Sequence, residues 1–575
     1  MSEQTTTQGS AAEGAREAAT GAADPYAREA QTFPKLTDEQ LKRITAYGTV
    51  EDTPAGTMLF QRGQRGVDFF VILSGSVQII DGDVDGGDNI ITTHGSSQFT
   101  GELDLFNQRK ILVDGKTGED SCLLRLTRDQ FRRMSSTEQD IGEIIMRAFI
   151  LRRTAFIIHQ EAGVTIIGNP NGRDVVRMQR FLTRNGYPVS VMEPSAAETK
   201  HYMSECNIEP ADVALVRAPD GEVWKNPTTA ELADNLGLTE DIDSEHVFDL
   251  AVVGAGPAGL SACVYGASEN LDTIVIEAEA PGGQAGTSSK IENYLGFPTG
   301  ISGQALAGRA WIQGQKFGAQ FAIARGATEI GQNGNIFDLT TEGGIGVKAR
   351  AVILACGATY RRLNLENYEK FEGQGIHYAA TALEAQFCSG TEVAVIGGGN
   401  SAGQAAVFLS GFASHVHVLV RGNGLADTMS DYLVQRIDQS SRITLHSHTE
   451  ITALDGGRML EQVTWKNSKT GESEIKEMGN VFVMIGAVPN TGWLGDCVEL
   501  DERGFVLSGP KARKDADTPF DTSVSGVYAV GDVRSGSVKR VASGVGEGSV
   551  CISSVHQYLA ALREREDMMP PDAQM

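Results

Sequence analysis

The sequence predicts a multidomain protein made of a β-roll, a small α/β unit and a large α/β region. Three observations predict this order. Short strands broken by glycine fill roughly the first quarter of the chain, and a compact β-α-β then β-β-α pattern follows. From about Val247 onward, strands alternate with helices. A chain of 575 residues exceeds one ordinary hydrophobic core, so several domains are expected.

The composition limits the classes of function. A net charge of -25 argues against sequence-independent binding of nucleic acid, because such binding needs clustered Lys and Arg. No apolar run is long enough to span a membrane, and the first residues lack the basic and apolar regions of a signal peptide. We therefore expect a cytoplasmic protein with an acidic surface and no nucleic-acid or membrane partner.

The cysteines predict no local redox or metal motif. Their number is odd, and they are far more widely spaced than in Cys-x-x-Cys, which makes a zinc knuckle an unfavourable interpretation too. We expect most of them to be buried as small apolar residues, and we expect no metal site. The seven are Cys122, Cys206, Cys263, Cys356, Cys388, Cys497 and Cys551.

The first structured region is predicted over residues 31–153, after a disordered tail over 1–30. The stretch "LTDEQLKRI" opens a helix with Thr37 at the cap and Gln40 three residues later, which is a capping-box pattern. The strands "GTMLFQRG", "DFFVILSGSVQII", "NIITTHG" and "CLLRL" follow, and the helix "IGEIIMRAFILRR" closes the region. This pattern predicts a β-barrel or β-roll.

The second region is predicted over residues 160–238. "GVTIIG" has the pattern of a buried strand, and "RDVVRMQRFLTRNG" is an amphipathic helix with a C-terminal glycine. The strands "YPVSVME", "DVALVRAP" and "GEVWKNP" and the helix "TAELADNLGL" complete a small α/β unit. An acidic linker then leads to the large region.

The large region opens with a glycine fingerprint. In "FDLAVVGAGPAGLSA", an apolar strand runs into Gly254, Gly256 and Gly259 and then into a helix. The first glycine permits the tight turn, the second lets backbone N–H groups approach a pyrophosphate, and the third packs the helix against the strand. Glu277 ends the next strand at the distance expected for a ribose-binding acid.

A second fingerprint follows the strand "TEVAVIG". Gly397, Gly399 and Ala402 stand at the three positions, again between a strand and a helix. Two such sites in one chain indicate two adenine dinucleotides, most simply FAD and a nicotinamide dinucleotide.

The region from about 246 to 562 resembles the thioredoxin-reductase branch of the pyridine nucleotide–disulfide oxidoreductases. The stretches "GGQAGTSSKIENYLGFP", "ILACGATYRRL", "VFVMIGAVPNT" and "GVYAVGDVRSGSVKRVASGVGEG" carry the resemblance beside the fingerprints. It implies a two-domain α/β flavoprotein, with FAD bound by 246–361 and 491–562, NAD(P)H bound by 362–490, and a tail over 563–575. It implies FAD contacts at Gly254, Gly256, Gly259, Glu277, Gly283, Gln284, Asn293, Asp532, Arg540 and Val541, and NAD(P)H contacts at Gly397, Gly399, Asn400, Ala402 and Arg421.

The resemblance fails at the redox motif. In that branch a Cys-x-x-Cys and then an acid stand just before the strand of the second fingerprint. Here Ala379 and Ala382 occupy the cysteine positions, and Leu383 occupies the acid position. Alanine forms no thiolate, so it carries no electrons, and we predict no catalytic dithiol. On a helix, Cys388 would lie roughly 13 Å along the axis from Ala379, so we expect a core residue.

The choice of nicotinamide rests on few residues. Relatives that use NADPH place several arginines after the strand of the second site, and this chain keeps Arg421, with Gly422 and Ala426 at two other positions. No acid ends that strand, so the ribose clamp typical of NAD enzymes is missing. NADPH is favoured, and the alternative is that Arg421 is only a solvated charge.

The two N-terminal regions resemble further families. "GQRGVDFFVILSGSVQII" and "FTGELDLF" are similar to cyclic-nucleotide-binding domains, which implies ligand contacts at Gly101, Glu102 and Arg109 and a cyclic nucleotide as a partner. The arginine context has changed to "RKIL", and no helix-turn-helix follows. Residues 160–238 resemble a thioredoxin or glutaredoxin fold, with Asn169, Pro170, Asn171 and Gly172 where its redox cysteines belong.

The function predicted is that of an FAD enzyme that oxidises NAD(P)H and passes two electrons to an external acceptor without an internal dithiol. The acceptor is a protein disulfide, a quinone, a one-electron carrier or oxygen, and the resemblance implies a homodimer. Two alternatives stay open. One is a thioredoxin-disulfide reductase whose partner's cysteines meet the flavin directly, and the other is a flavin and cyclic-nucleotide sensor with little turnover.

Overall fold

The structure is a computed structural model of the chain. It describes residues 25–82, 88–101, 109–159, 163–170, 172–194, 199, 214–288, 291, 293–372, 374–378, 380, 382–426 and 429–568. The chain divides into two compact units, Met1–Glu240 and Asp241–Met575. Within the described ranges, no helix combines the length and the apolar character that a bilayer-spanning segment requires.

The first unit begins with a β-roll of two four-stranded sheets, ordered β1-β8-β3-β6 and β2-β7-β4-β5. Its strands are β1 (Thr49–Thr53), β2 (Met58–Phe60), β3 (Phe69–Ser74), β4 (Val77–Gly82), β5 (Asp88–His94), β6 (Phe99–Thr100), β7 (Asp114–Thr117) and β8 (Ser121–Leu126). The pairing is antiparallel throughout. Only β4 and β5 are consecutive in the chain, and the other pairs join distant segments, such as β1 with β8 and β2 with β7. The predicted β-roll is confirmed.

Helices flank the roll: α1 (Glu29–Thr32), α2 (Asp38–Ile44), α3 (Arg128–Thr137) and α4 (Gln139–His159). The predicted capping box of α2 is present, since Thr37 and Gln40 exchange side-chain and backbone hydrogen bonds. Phe69 forms the aromatic centre of the core, with ring centroids 5.6 Å from Phe99 and 4.8 Å from Phe131. Burial of these rings holds α3 against the sheet.

The ends of this region differ from the predicted boundaries. The last residues of the predicted tail form a 3₁₀ turn, Tyr26–Arg28, and α1, because the Tyr26 ring stacks on His159 with centroids 4.8 Å apart. The rest of that tail lies outside the described residues. Helix α4 continues to His159, beyond the predicted end at 153.

The small α/β unit has the strand order β10-β9-β11-β12. Its elements are β9 (Val164–Ile167), α5 (Arg173–Arg184), β10 (Val189–Met192), β11 (Leu215–Arg217), β12 (Val223–Lys225) and α6 (Thr229–Asn235). Strands β9 and β10 are parallel, while β11 is antiparallel to both of its neighbours. This is the topology of a thioredoxin-like fold, as predicted.

The second unit contains a seven-stranded sheet ordered β15-β14-β13-β18-β17-β16, with β29 paired to β18. Its strands are β13 (Val247–Val253), β14 (Thr273–Glu277), β15 (Gln320–Ile323), β16 (Ala327–Asn333), β17 (Ile336–Thr341), β18 (Gly346–Leu354) and β29 (Val527–Ala529). Its helices are α7 (Pro257–Ser268), α8 (Gly303–Lys316) and α13 (Val541–Met568). Helix α13 passes the predicted boundary at 562.

A second parallel sheet, ordered β20-β27-β21-β22-β23, carries the second fingerprint. Its strands are β20 (Ile376–His377), β21 (Glu392–Ile396), β22 (His415–Leu419), β23 (Ile443–His446) and β27 (Val481–Val483). An antiparallel sheet, β24 (Thr449–Asp455), β25 (Gln462–Asn467) and β26 (Ser473–Glu477), follows β23. The helices are α9 (Tyr368–Phe371), α10 (Ala382–Phe387), α11 (Asn400–Leu409) and α12 (Asp431–Gln439).

Two antiparallel strands, β19 (Ala358–Tyr360) and β28 (Ala487–Pro489), lie where the chain passes between the two parallel sheets. The sheets have separate cores, one centred on strands β13, β14 and β18 and the other on β21 and β22. Each fingerprint is therefore built on its own sheet with its own core, and two short strands lie between the sheets.

Candidate functional site

The first fingerprint forms a tight turn between β13 and α7. Gly254 has φ +103°, and an added Cβ would lie 2.4 Å from the carbonyl oxygen of Ala355. Gly256 caps α7, and a Cβ there would meet nothing within 4 Å. At Gly259, a Cβ would lie 1.8 Å from the oxygen of Gly254. The turn thus leaves an open backbone at a helix N-terminus, which suits a pyrophosphate.

Glu277 ends β14 beside this turn. Its carboxylate accepts hydrogen bonds from the backbone N–H groups of Ala255 at 2.7 Å, Glu279 at 3.0 Å and Ala280 at 3.3 Å. The residue is buried, so these bonds hold the side chain in one place. Each carboxylate oxygen can accept more than one hydrogen bond, so Glu277 can also accept hydrogen bonds from the hydroxyl groups of a ribose.

The Gly-Gly-Gln stretch lies against the fingerprint. The N–H of Gly282 donates to the oxygen of Ala255 at 2.7 Å, and a Cβ at Gly283 would lie 3.1 Å from Cα of Gly256. The Gln284 side chain donates to the oxygen of Ala358 in β19. Asn293 is exposed in the following loop. The structure therefore brings Gly283 and Gln284 to the first fingerprint and leaves Asn293 at the surface.

The stretch "GVYAVGDVRSGSVKRVASGVGEG" supplies a carboxylate and the start of a helix. Asp532 lies in the 3₁₀ turn Gly531–Val533, and burial raises the pKa of its carboxyl. The turn is held by Glu547, which accepts from the N–H of Gly531 at 2.7 Å and pairs with Arg534 at 2.6 Å. Arg540 and Val541 stand at the start of α13. This arrangement fits the hydroxyl groups and the anionic part of FAD.

The second fingerprint repeats the first. Gly397 has φ +138°, and a Cβ there would lie 2.2 Å from the oxygen of Met484. Gly399 caps α11, and Ala402, in the first turn of that helix, is fully buried. The side-chain oxygen of Asn400 accepts from the N–H of Ser430 at 2.7 Å, which ties the start of α11 to the start of α12. Another helix N-terminus is thus available for a pyrophosphate.

Arg421 follows the carboxyl end of β22, the strand beside the fingerprint strand. It is exposed, and it makes no hydrogen bond or ion pair with the residues that the structure describes. The guanidinium is therefore available to a ligand at the edge where the nucleotide ribose of such folds binds.

The sequence places alanines at the two positions where the resemblance expects redox cysteines, and one of these positions is described. Ala379 is outside the described residues, and Ala382 is the first residue of α10. Cys388 follows the helix and is fully buried in the core of the second parallel sheet, which confirms the prediction that it is a core residue.

The described cysteines of this unit are poor nucleophiles. Burial raises the pKa of the Cys356 and Cys388 thiols to about 12, and it raises the pKa of Cys263, Cys497 and Cys551 as well. The Cys356 thiol donates to the oxygen of Asn490 at 3.1 Å, and the Cys388 thiol donates to the oxygen of Glu384 at 3.2 Å. Thiols of this kind stay protonated near neutral pH.

In the β-roll, the structure describes two of the three predicted ligand residues, Gly101 and Arg109. Gly101 has φ +91° and lines an interior cavity, while Glu102 lies outside the described residues. Arg109 is buried and donates to the oxygen of Asn185 in the small α/β unit at 3.1 Å. Sequence reasoning missed His94 and Arg152, which also line the cavity. No local motif marks them, because they come from β5 and α4.

The small α/β unit has no described thiol at its redox position. Asn169 and Pro170 follow β9, Asn171 lies outside the described residues, and Gly172 caps α5. Among the described residues, no cluster of three or more His, Cys, Asp or Glu side chains is suited to hold a metal ion.

Comparison with known families agrees with this geometry. The profile of the family described as pyridine nucleotide-disulphide oxidoreductase matches residues 248–548, and that of the cyclic nucleotide-binding domain matches residues 50–138. Thioredoxin reductase from Treponema pallidum is 35% identical over 316 residues, which are 55% of this chain and 98% of that protein. Thioredoxin reductase from Bacillus subtilis is 31% identical over 323 residues, 56% of this chain and 98% of that protein.

Solved structures give the same result. Thioredoxin reductase from Lactococcus lactis superposes with a TM-score of 0.51 at 28% identity, covering 55% of this chain and 99% of that one. The enzyme from T. acidophilum superposes with a TM-score of 0.50 at 30% identity, covering 55% and 100%. This branch uses FAD and NADPH, and the two fingerprints here have the backbone that such cofactors need. The chain therefore belongs to the pyridine nucleotide-disulphide oxidoreductase family and is an NAD(P)H-dependent flavin oxidoreductase with an N-terminal cyclic nucleotide-binding domain.

Proposed function

We propose that this enzyme passes electrons to an acceptor outside the polypeptide, without a dithiol of its own. When bound, FAD would supply the redox chemistry: it would accept a hydride from NAD(P)H, and the two electrons would pass to a protein disulfide, a quinone or oxygen, or singly to two molecules of a one-electron carrier. The protein's own residues hold and orient the two dinucleotides. The proposal depends on one observation: no described cysteine of the second unit has the low thiol pKa of a disulfide-exchange site.

Alanines stand at both positions of the usual redox pair, Ala379 and Ala382. The described cysteines of the second unit all have a raised thiol pKa, so none resembles the low-pKa thiol of a disulfide-exchange site. No described cysteine takes part in a disulfide. An electron pair would therefore find no ready sulfur acceptor in this unit.

The residues named for FAD and NAD(P)H are consistent with transfer at a short distance. Gly254, Gly256 and Glu277 would hold the adenosine half of FAD, while Gln284 and Asp532 would face the rest of it. Gly397, Gly399 and Arg421 would hold the nicotinamide dinucleotide. Preorganised contacts of this kind orient the two rings, which is what hydride transfer requires of the protein.

The test combines rapid kinetics with thiol counting. The FAD-loaded full chain is mixed with NADPH or NADH without oxygen, and the flavin absorbance is followed. We expect bleaching within about a second and, after trapping with an alkylating reagent, the same number of modified cysteines as in the oxidised protein. Two newly modified cysteines, including Cys122 or Cys206 of the first unit, would overturn the proposal. A Cys388→Ser variant controls for core disruption.

A second candidate is direct reduction of a partner's disulfide at the flavin. The curated relatives named thioredoxin reductase favour it, since they match 98% of their own lengths. Adding oxidised thioredoxin to the reduced protein tests it: flavin reoxidation that depends on thioredoxin supports this acceptor. Reoxidation only by a quinone, ferricyanide or oxygen assigns the electrons elsewhere.

The N-terminal domain would regulate or position the enzyme. Cyclic-nucleotide contacts at Gly101, Glu102 and Arg109, and the homodimer, remain predictions. Calorimetry with cyclic AMP and cyclic GMP on wild type and Arg109→Met tests the first, and light scattering tests the second. Tight cyclic-nucleotide binding together with slow flavin turnover would favour the sensor alternative.

A further inference from the structure

One wall of the β-roll cavity is formed by the segment that leads into β7. Three buried side chains of this segment line the cavity: Ile111, Leu112 and Val113. The backbone of Ile111 pairs with the connection between β2 and β3. Its N–H donates to the oxygen of Gln64 at 3.0 Å, and its oxygen accepts from the N–H of Gly63 at 3.0 Å. The wall therefore consists of two paired segments, 63–65 and 109–113.

The cavity is small, and its lining is largely apolar. Its volume is about 40 Å³, which is room for about three water molecules. Among the lining side chains, Arg152 is buried and donates to the oxygen atoms of Thr32 at 2.8 Å and Phe99 at 3.0 Å. A buried guanidinium attracts an anion, so the cavity suits an anionic ligand with an apolar ring. A cyclic nucleotide is many times larger than this volume, so it enters only if the wall moves outward.

The small α/β unit lies directly outside this wall. The guanidinium of Arg109 is buried and donates to the oxygen of Asn185, the C-cap of α5, at 3.1 Å. The N–H of Lys110 donates to the oxygen of Leu236, the C-cap of α6, at 3.2 Å. Carbonyl groups at helix C-termini lack partners within the helix, so these donors of the β-roll stabilise both helices of the small unit.

Side chains add two further bonds. Lys110 Nζ forms an ion pair with Asp220 at 3.2 Å, and Arg65 donates to the oxygen of Asp234 at 3.0 Å. Asp220 also packs against the wall, since a Cβ added at Gly63 would lie 2.8 Å from its Oδ2 atom. We call these two bonds and the two bonds to the helix C-caps the docking contacts. They hold the cavity wall from outside.

We propose that the small α/β unit inhibits ligand binding by the β-roll: the docking contacts keep the cavity wall in place, and a cyclic nucleotide binds only as these contacts break. The proposal rests on the predicted cyclic-nucleotide site and not on the identity of the electron acceptor. Because linkage is reciprocal, a variant with weaker docking contacts binds the nucleotide more tightly, and the nucleotide in turn loosens the small unit. This gives a function to a thioredoxin-like unit that has Asn169 and Pro170 at its redox position.

The test measures the cyclic-nucleotide affinity of docking variants. Cyclic AMP and cyclic GMP are titrated by calorimetry into the FAD-loaded full chain, as wild type, Asp220→Asn and Lys110→Met. Both variants remove the same ion pair but change the local charge in opposite directions, so a shared effect excludes long-range attraction of the anion as its cause. Glu143→Gln is the matched control, because it removes the ion pair with Arg147 on the exposed face of α4.

We expect both docking variants to bind at least one of the two nucleotides about three- to tenfold more tightly than wild type, as the loss of one hydrogen-bonded ion pair implies. Glu143→Gln should match wild type. In wild type, saturating nucleotide should also raise the hydrogen exchange of residues 181–187 and 232–238, at the ends of α5 and α6.

Equal or weaker affinity in both docking variants would overturn the proposal and leave the predicted cyclic-nucleotide site in place. Tighter binding in Asp220→Asn alone would indicate a charge effect and would overturn it as well. If none of the four proteins binds either nucleotide, the predicted site and this proposal both fail. Reduction of the flavin by NADPH tests the enzyme separately, so its failure leaves the result on the small α/β unit unchanged.

Discussion

The carboxylate of Glu277 accepts a 2.7 Å hydrogen bond from the backbone N–H of Ala255, between the first two glycines of the FAD fingerprint. The bond joins the end of β14 to the turn after β13, so the Glu277 side chain shapes the turn and, in the proposed FAD site, would also face the ribose. The two functions lead to the first prediction.

We expect Glu277→Ala to weaken FAD binding by about tenfold or more, because buried N–H groups lose their acceptor and the ribose loses a contact. Glu277→Gln keeps one acceptor oxygen and should lose less. Titration of apoprotein with FAD, followed by fluorescence, measures the change. Glu329→Ala, at an exposed position on β16, is the control. Unchanged FAD affinity in Glu277→Ala would remove Glu277 from the site.

Gly397→Ala should impair the nicotinamide site and spare the flavin site. The new Cβ would lie 2.2 Å from the oxygen of Met484, at a φ of +138°. The second parallel sheet must shift, at a cost on the order of 1–3 kcal/mol. Flavin content should match wild type, while reduction of the flavin by NADPH slows by tenfold or more.

The control for Gly397→Ala is Gly308→Ala in α8, where an added Cβ meets nothing within 4 Å. That variant should be neutral or slightly stabilising, because alanine favours a helix over glycine. Normal NADPH kinetics in Gly397→Ala would contradict the assignment of the second fingerprint.

Stability should fall at alkaline pH partly through Cys388. Burial raises the pKa of its thiol to about 12 in the folded state, against 9.0 as the ordinary value. A raised folded pKa contributes stability that is complete below about pH 9 and is lost as pH rises toward 12. Urea unfolding between about pH 8 and pH 11 should therefore show a smaller pH slope in Cys388→Ala than in wild type. Parallel slopes would mean that the thiol does not titrate in this window.

Stability should also fall at acid pH through a histidine pair of which one ring, His417, is buried and the other, His446, is half-buried. His417 Nδ1 and His446 Nε2 are 3.0 Å apart, and burial lowers the pKa of both rings. Glu392 accepts from His417 Nε2 at 3.0 Å, which opposes this effect but does not cancel it. A lowered folded pKa gives stability that is complete above about pH 6.5 and is lost as pH falls through the folded value.

We therefore expect His446→Phe to lessen the loss of stability between about pH 7 and pH 5, as followed by urea unfolding with fluorescence. His556→Gln is the control, because His556 is more exposed and pairs with Glu269 at the surface. An identical acid slope in His446→Phe and wild type would exclude the pair as the cause.

The features that the sequence predicted correctly depend on residues that are close together in the chain. The capping box at Thr37 and Gln40 and the strand-glycine-helix order at Gly254 and Gly397 each depend on residues within a few positions of one another, so their geometry follows from the sequence directly. The replacement of a dithiol by Ala379 and Ala382 is likewise readable without coordinates.

Contacts between distant segments were not predictable. Arg109 reads as a ligand residue from its motif, yet its guanidinium bonds to Asn185, 76 positions away. Gln284 bonds to Ala358 and His448 bonds to Gly422, and no periodicity links these pairs. By itself the sequence determined the secondary structure, the two dinucleotide turns and the alanines at positions 379 and 382. The tertiary structure alone decided which strand ends meet at one sheet edge and which thiols are buried, because strand order and burial arise from non-local packing.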